Sequence, residues 1–479
     1  MVASTNLGES SPSAETATVK ELTKVRKGGR LGFLDVLRGI AAISVVFYHL
    51  GNHGAVLTDG FYWASHSVIN LGGFGVMLFF LVSGFIIPAS LERHGSVSEF
   101  WVSRVFRLGP LFWFVSLAVL AFGLLGWMKV SEHVFSNWPG ALVGNVTILA
   151  RHLGAPFLIG PAWTLPYEIC FYGLTTVIFV TRLRRASVGI ALAGAGITVL
   201  ATDMLVGKAA VTPWVLGVPG YHGNPLRVAG LALIFGAAAA LLARNRSGAL
   251  YAAVAGVCVI PVLLNRPDPL HQAAIYLTVM FTGTVIHRIW SGQVKPELGW
   301  AVYGVTALAC ISAFWLYTET WYSPAGALGE SPLTRSVVIV VVFSTFAAFF
   351  LLRERVNWPA PLQWLGRVSY SLYLTHWVVM MVVPALPSSV PGFKILTVLM
   401  WLSITLIVSE LTYRFVEKPS IDLGRKAALR LRAWQAKRAE GKAGPVEVPA
   451  DAEAEVGEVG RATDEELVAA ETPALTTRE

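Results

Sequence analysis

The sequence predicts an all-α protein, a polytopic bundle of ten to twelve transmembrane helices. Three observations carry that prediction. Of the 479 residues, 54% are hydrophobic and only 14% charged, against about 25% charged in an ordinary soluble domain. The mean hydropathy is +0.60. The apolar residues are gathered into runs of about 17–23, the length that crosses a hydrocarbon core.

Taken in order, residues 1–30 start polar and Ser/Thr-rich, then turn basic at Lys20, Lys24, Arg26, Lys27 and Arg30. This composition predicts a disordered leader ending in a cytoplasmic anchor. The first apolar run begins near residue 31 without a small-residue cleavage pattern, so it reads as an uncleaved anchor. Spans are predicted near 33–51, 69–90, 108–128, 162–181, 187–205, 226–243, 248–264, 271–290, 299–317, 336–352, 369–386 and 394–416. Several are short or Gly-rich enough to be re-entrant, hence the range of ten to twelve.

Charge sets the expected orientation. Arg104 with Arg107, Arg182 with Arg184 and Arg185, Arg244 with Arg246, Arg353 with Arg355, and the segment after Arg414 fall in alternate loops. The positive-inside rule then places both termini in the cytoplasm. The stretch 129–161 falls outside, and its apolar part (GALVGNVTILARHLG) has the composition of a segment that dips into the membrane. After the body at 31–420 comes a basic juxtamembrane helix, 421–444, expected on the inner membrane surface. Residues 445–479 are acidic and Pro/Ala-rich, the composition of a disordered tail.

The net charge of +8 comes from short Lys/Arg-rich loops, which argues against a nucleic-acid surface. Cys170, Cys258 and Cys310 lie in apolar runs at unrelated spacings, so neither a disulfide framework nor a metal motif follows. No internal repeat of the transporter kind is evident.

Against this apolar background a few ionisable residues stand out. The first span, LGFLDVLRGIAAISVVFYHL, carries Asp35, Arg38 and His49. Each such group costs roughly 2.5–3.5 kcal/mol to insert, so it is rare and usually functional. At 100° per residue, Arg38 and His49 lie about 20° apart in azimuth and roughly 16 Å apart along the axis, with Asp35 within about 40° of His49. His49 is either a hydrogen-bonded core histidine, a general base, or a nucleophile that carries an acyl group. Arg38 either pairs with Asp35 or binds an anionic or carbonyl group of a substrate.

Further along, FWVSRVFR (100–107) holds Arg104 and Arg107, either a positive-inside cluster or a clamp for an anionic donor. FFLVSGF (79–85) places Ser83 and Gly84 in mid-membrane, where small residues most often mean close helix packing. WTLPYE (163–168) contains Trp163 and an apolar-span carboxylate, Glu168, that either pairs with a bundle arginine or serves acid–base chemistry. SYSLYLTHW (369–377) sets Tyr370, Tyr373 and His376 at three-residue intervals. Glu417 and Pro419, in RFVEKP, close the last span.

Together, and in this order, these segments resemble the acyltransferase-3 family of integral-membrane O-acyltransferases. The matching residues are DVLRGIAAISVVFYH (35–49), FFLVSGF, the Arg104/Arg107 pair, WTLPYE, SYSLYLTH and RFVEKP, covering about 31–420. The resemblance implies a bacterial plasma-membrane enzyme that moves an acyl group, commonly acetyl from acetyl-CoA, to a hydroxyl. It implies His49 as the essential histidine, with Arg38, Arg104 and Arg107 as functional arginines. The resulting expectation has His49, Arg38, Asp35 and Glu168 in catalysis. Arg38, Arg104, Arg107 and Ser83 bind acyl-CoA, while His376, Tyr370, Tyr373 and Trp163 bind the acceptor. No metal is implied. The expected acceptor is a cell-surface glycan, with a small-molecule sugar as the alternative acceptor. A transporter is the rival from another class, since intramembrane Arg, Glu and His also line transport pathways. Lipid is the expected surrounding and a homo-oligomer is left open.

Overall fold

The computed structural model describes residues 31–52, 66, 68–153, 155–200, 270–317, 331–387, 390 and 392–443, with scattered positions between 236 and 259. Among these the regular structure is entirely helical. The chain up to Gly424 forms one compact unit, and a second begins at Arg425.

In chain order the helices are α1 (Gly32–Asn52), α2 (Leu71–His94), α3 (Val97–Leu124), the short α4 (Glu132–Ser136) and α5 (Trp138–Thr147). A 3₁₀ turn, Gly160–Thr164, then leads into α6 (Leu165–Val180) and α7 (Ser187–Leu200). There follow α8 (Leu270–Trp290), α9 (Pro296–Leu316), α10 (Pro332–Leu352), α11 (Ala360–Arg367), α12 (Ser369–Val382), α13 (Phe393–Thr412) and α14 (Lys418–Ala443). Among the described residues, eight helices are long and apolar enough to cross a membrane. The 14-residue α7 is apolar but shorter. The predicted spans 226–243 and 248–264 lie outside the described residues apart from scattered positions, as do the leader 1–30 and the tail 445–479.

Several boundaries shift by a few residues, and two differ in kind from the sequence expectation. The third span, predicted from 108, starts at Val97. Ser96 caps it, accepting the Glu99 N–H at 3.5 Å, and Ser96 with Glu99 has the S-x-x-E spacing of a capping box. Arg104 and Arg107 are therefore on a helix and not in a loop. The last span does not stop at Pro419. A π-helical turn, Tyr413–Glu417, joins α13 to α14 without a break. Proline lacks an N–H and crowds the carbonyl four residues before it, and the wider π turn immediately ahead gives it room.

The helices α2 and α8 form the centre of the bundle, with 78% and 83% of their apolar windows buried, against 33% for the peripheral α10. Packing around α2 comes from α1, α6, α8 and α10, and α1 is also flanked by α11 and α12. Outward faces carry large apolar groups such as Leu117, Leu308, Val340 and Ile407, as a lipid-facing surface requires. Gly84, next to Ser83, sits at a close helix crossing. A Cβ on Gly84 would lie 1.8 Å from the Met280 carbonyl oxygen, and one on Gly283 would lie 2.1 Å from that of Leu81. At the crossing of α1 with α11, a Cβ on Gly366 would lie 1.8 Å from the Asp35 carbonyl oxygen.

Candidate active site

Helix α1 carries the polar stripe through the bundle, and its two ends have different surroundings. At the C-terminal end His49 is half-buried. Its Nδ1 lies 3.0 Å from the Val45 carbonyl oxygen, one turn back on the same helix. A carbonyl only accepts, so Nδ1 carries the proton and, in the neutral ring, Nε2 is the basic nitrogen. His376, fully buried on α12, is placed by the same logic. Its Nδ1 lies 2.9 Å from the Leu372 carbonyl, so its Nε2 is the acceptor. That Nε2 faces His49 Nδ1 at 3.3 Å. His49 Nδ1–H therefore divides its donation between Val45 and His376, and both tautomers are consistent with these three contacts.

Around this pair, Tyr48 meets His49 edge-on at 5.3 Å between ring centroids. His66 stacks on Tyr48 at 4.4 Å between ring centroids. Tyr373 lies 6.2 Å from the His376 ring. Its hydroxyl bonds Thr164 Oγ1 at 2.8 Å and the Pro161 carbonyl, which ties α12 to the turn before α6. Tyr370 donates to the Leu108 carbonyl at 2.8 Å, tying α12 to α3. Removing that hydroxyl with Tyr370→Phe lowers stability by about 1 kcal/mol, a shift readable in thermal unfolding in detergent. Trp163 lies under the Arg151 guanidinium at 5.6 Å and beside Tyr276 at 5.7 Å.

Toward the N-terminal end of the stripe, Arg38, Arg107, Glu168 and Glu417 form one electrostatic neighbourhood, with Asp35 next to Arg38. Arg38, Arg107 and Glu168 are half-buried and Glu417 is 1% exposed. Among the described residues no hydrogen bond or ion pair joins either Arg38 or Arg107 to another side chain. Glu417 is held by Ser371, whose Oγ donates to Oε2 at 2.7 Å. Glu168 accepts the Tyr172 hydroxyl at 2.6 Å, so it sits with the arginines and not beside His49.

Arg104 differs from its neighbour. Its Nη2 donates to Ser90 Oγ at 2.6 Å, and its guanidinium lies over the rings of Phe100 at 5.2 Å and Tyr172 at 5.7 Å. It braces α3 against α2 and α6. Ser83 on α2 is half-buried beside the Gly84 crossing. The described residues contain no group of three or more His, Cys, Asp or Glu that could hold a metal.

Some residues of this site were not foreseen from the sequence. Tyr172 lies four residues after Glu168, a spacing that puts both on one helix face, so a signal existed. For Ser371, Ser90 and Arg151 no signal was present, because their partners come from other elements.

Arg38, with Arg107 of α3 and the carboxylates near it, lies roughly 16 Å along α1 from the His49 imidazole. A family model described as "Acyltransferase domain" matches residues 31–413. The chain is 26% identical over 419 residues to "Putative peptidoglycan O-acetyltransferase YrhL" of Bacillus subtilis (strain 168), covering 81% of this chain and 54% of that one. It is 24% identical over 419 residues to "Peptidoglycan O-acetyltransferase OatA" of Listeria monocytogenes, covering 81% and 55%. The chain thus spans little more than half the length of these curated relatives. No solved structure matches. The family match takes in α1 with its stripe, both arginines of α3, Glu168 and His376, and on that match the chain belongs to the acyltransferase-3 family.

Proposed function

We propose that this protein is a plasma-membrane O-acyltransferase that moves an acetyl group from acyl-CoA to a hydroxyl of a cell-wall glycan. The observation that carries the reading is the presence, on one helix, of a His49 ring whose basic nitrogen is Nε2 and of Arg38, beside which α3 sets Arg107. The names of the relatives, both peptidoglycan O-acetyltransferases, support the glycan acceptor.

With both termini in the cytoplasm, as the basic loops suggest, Arg38 lies toward the cytoplasm and His49 toward the outer side. The donor's phosphates bind Arg38 and Arg107, which offer bidentate donors to phosphate oxygens. Glu417 and Glu168 limit the repulsion between the two cations while the site is empty. The thioester arm runs along the stripe toward His49. His49 Nε2 takes the proton of the acceptor hydroxyl as its oxygen bonds the acyl carbon. The C–S bond then breaks, and the departing thiolate takes that proton back from His49. General base help of this kind contributes about 10²–10⁴-fold.

The test is a reconstitution. Protein in liposomes, given labelled acetyl-CoA and peptidoglycan fragments, transfers label to base-labile esters on the glycan. Flux of the glycan across the bilayer without ester formation would favour a transporter. The arginines make a second prediction. Arg107→Ala raises the KM for acetyl-CoA by about 10-fold or more, the value of one charged hydrogen-bonding partner, and leaves the acceptor KM within about threefold. An equal rise in both KM values would place Arg107 outside the donor site.

A further inference from the structure

We infer that His376 is a positioning residue, which fixes the His49 tautomer and stabilises the imidazolium that forms when His49 takes the acceptor proton. The inference rests on His49 acting as the base, and it moves His376 away from the acceptor-binding role that its place in the sequence suggests.

The geometry is specific. His376 is fully buried, and its own Nδ1–H is committed to the Leu372 carbonyl. Its Nε2 is thereby left as an acceptor, 3.3 Å from His49 Nδ1. A neutral acceptor at this position does two things. It holds the proton on Nδ1, so that the lone pair of His49 stays on Nε2. It also lowers the energy of the protonated ring, because the Nδ1–H donates more strongly once the ring is cationic. This is the task a carboxylate performs in a Ser-His-Asp triad, here given to a second imidazole.

The fold holds His376 firmly enough for the task. Its helix is pinned on both sides by Tyr370 on Leu108 and Tyr373 on Thr164. Immediately before His376 in the chain, Thr375 shares a hydrogen bond with Ser409 at 3.0 Å across α12 and α13. The titratable groups near His376 are few among the described residues. His49 faces it from α1, Tyr48 is in ring contact with His49 and His66 with Tyr48, and Tyr373 lies on its own helix. The elements α13, α2 and the 3₁₀ turn present Ser409, Phe79 and Thr164 around α12. Arg107 and Glu417 neighbour Tyr370, six residues or about 9 Å back along the axis.

The experiment compares His376→Leu, His376→Gln and His49→Gln in the reconstituted transfer assay. Leucine removes the acceptor. Glutamine puts an amide oxygen near the place of Nε2. The expected result is a fall in kcat of about 100-fold for His376→Leu, with both KM values within about threefold, and recovery to within about 10-fold of wild type for His376→Gln. The acid limb of kcat/KM moves down by about half a pH unit or more in His376→Leu, because His49 loses the partner that favoured its protonated form.

A rise in acceptor KM at unchanged kcat would overturn the inference and return His376 to substrate binding. A loss of activity that merely tracks the folded fraction, with an unmoved acid limb and no rescue by glutamine, would overturn it as a structural effect. Full activity of His49→Gln is a separate outcome, and would refute the base role of His49 itself.

Discussion

His49→Ala lowers kcat for acyl transfer by about 10²–10⁴-fold, the range that a lost general base removes. Neither His376 nor Glu168 is placed to take over. His376 is fully buried and already donates from Nδ1 to Leu372, and Glu168 lies with the arginines, hydrogen-bonded to Tyr172. The variant still folds, because His49 is half-buried and the Val45 carbonyl it releases lies within a continuous helix. Its KM for acetyl-CoA stays near wild type, since the proposed phosphate contacts lie about three turns away along α1. Ester formation on glycan fragments measures the loss, and circular dichroism with thermal unfolding checks the fold. Retention of more than a tenth of wild-type kcat would remove His49 from the mechanism.

The second large effect concerns folding. Gly84→Ala places a methyl group 1.8 Å from the Met280 carbonyl oxygen, at the closest crossing between α2 and α8. No rotamer relieves this, because the obstacle is backbone and a Cβ has no freedom. The helices must separate, which also breaks the hydrogen bond from Thr284 Oγ1 to the Gly84 carbonyl at 3.0 Å. Overpacking costs about 1–3 kcal/mol at ordinary core sites and more where nothing can give. Most of the folded protein is therefore expected to be lost, as read by yield of monodisperse protein in detergent and by melting temperature. The matching control is Gly189→Ala on α7, where a Cβ meets nothing within 4 Å. It changes stability by less than about 1 kcal/mol and in the favourable direction, since alanine restricts the unfolded chain.

Much of the fold was legible because membrane spans are local. A run such as 271–290 is written in consecutive apolar residues and reappears as Leu270–Trp290. The Ser83–Gly84 motif was legible as packing for the same reason, though its partner was not. Where local signals compete, boundaries were missed. The basic residues at Arg104 and Arg107 resembled a loop cluster, but the Ser96–Glu99 cap starts the helix before them. Pro419 resembled a stop, but the π turn ahead of it absorbs the proline.

The candidate site divides along the same line. The sequence by itself determined that Arg38 and His49 share one face of one helix, because a 3.6-residue period fixes relative azimuth within a single element. It also determined that they sit among lipid-compatible residues, where a charge needs a reason. Only the tertiary structure decided which groups they meet. It brought His376 to His49 from 327 residues away. It separated Arg104, held by Ser90 and two rings, from Arg107, which has no such hydrogen bond or ring contact among the described residues. It placed Glu168 and Glu417 beside the arginines. Such choices depend on how helices cross and how closely their backbones approach, and at Gly84, Gly283 and Gly366 that approach is set by carbonyls of other helices. Periodicity within one helix carries no information about the crossing, so it can present a side chain but cannot name its partner.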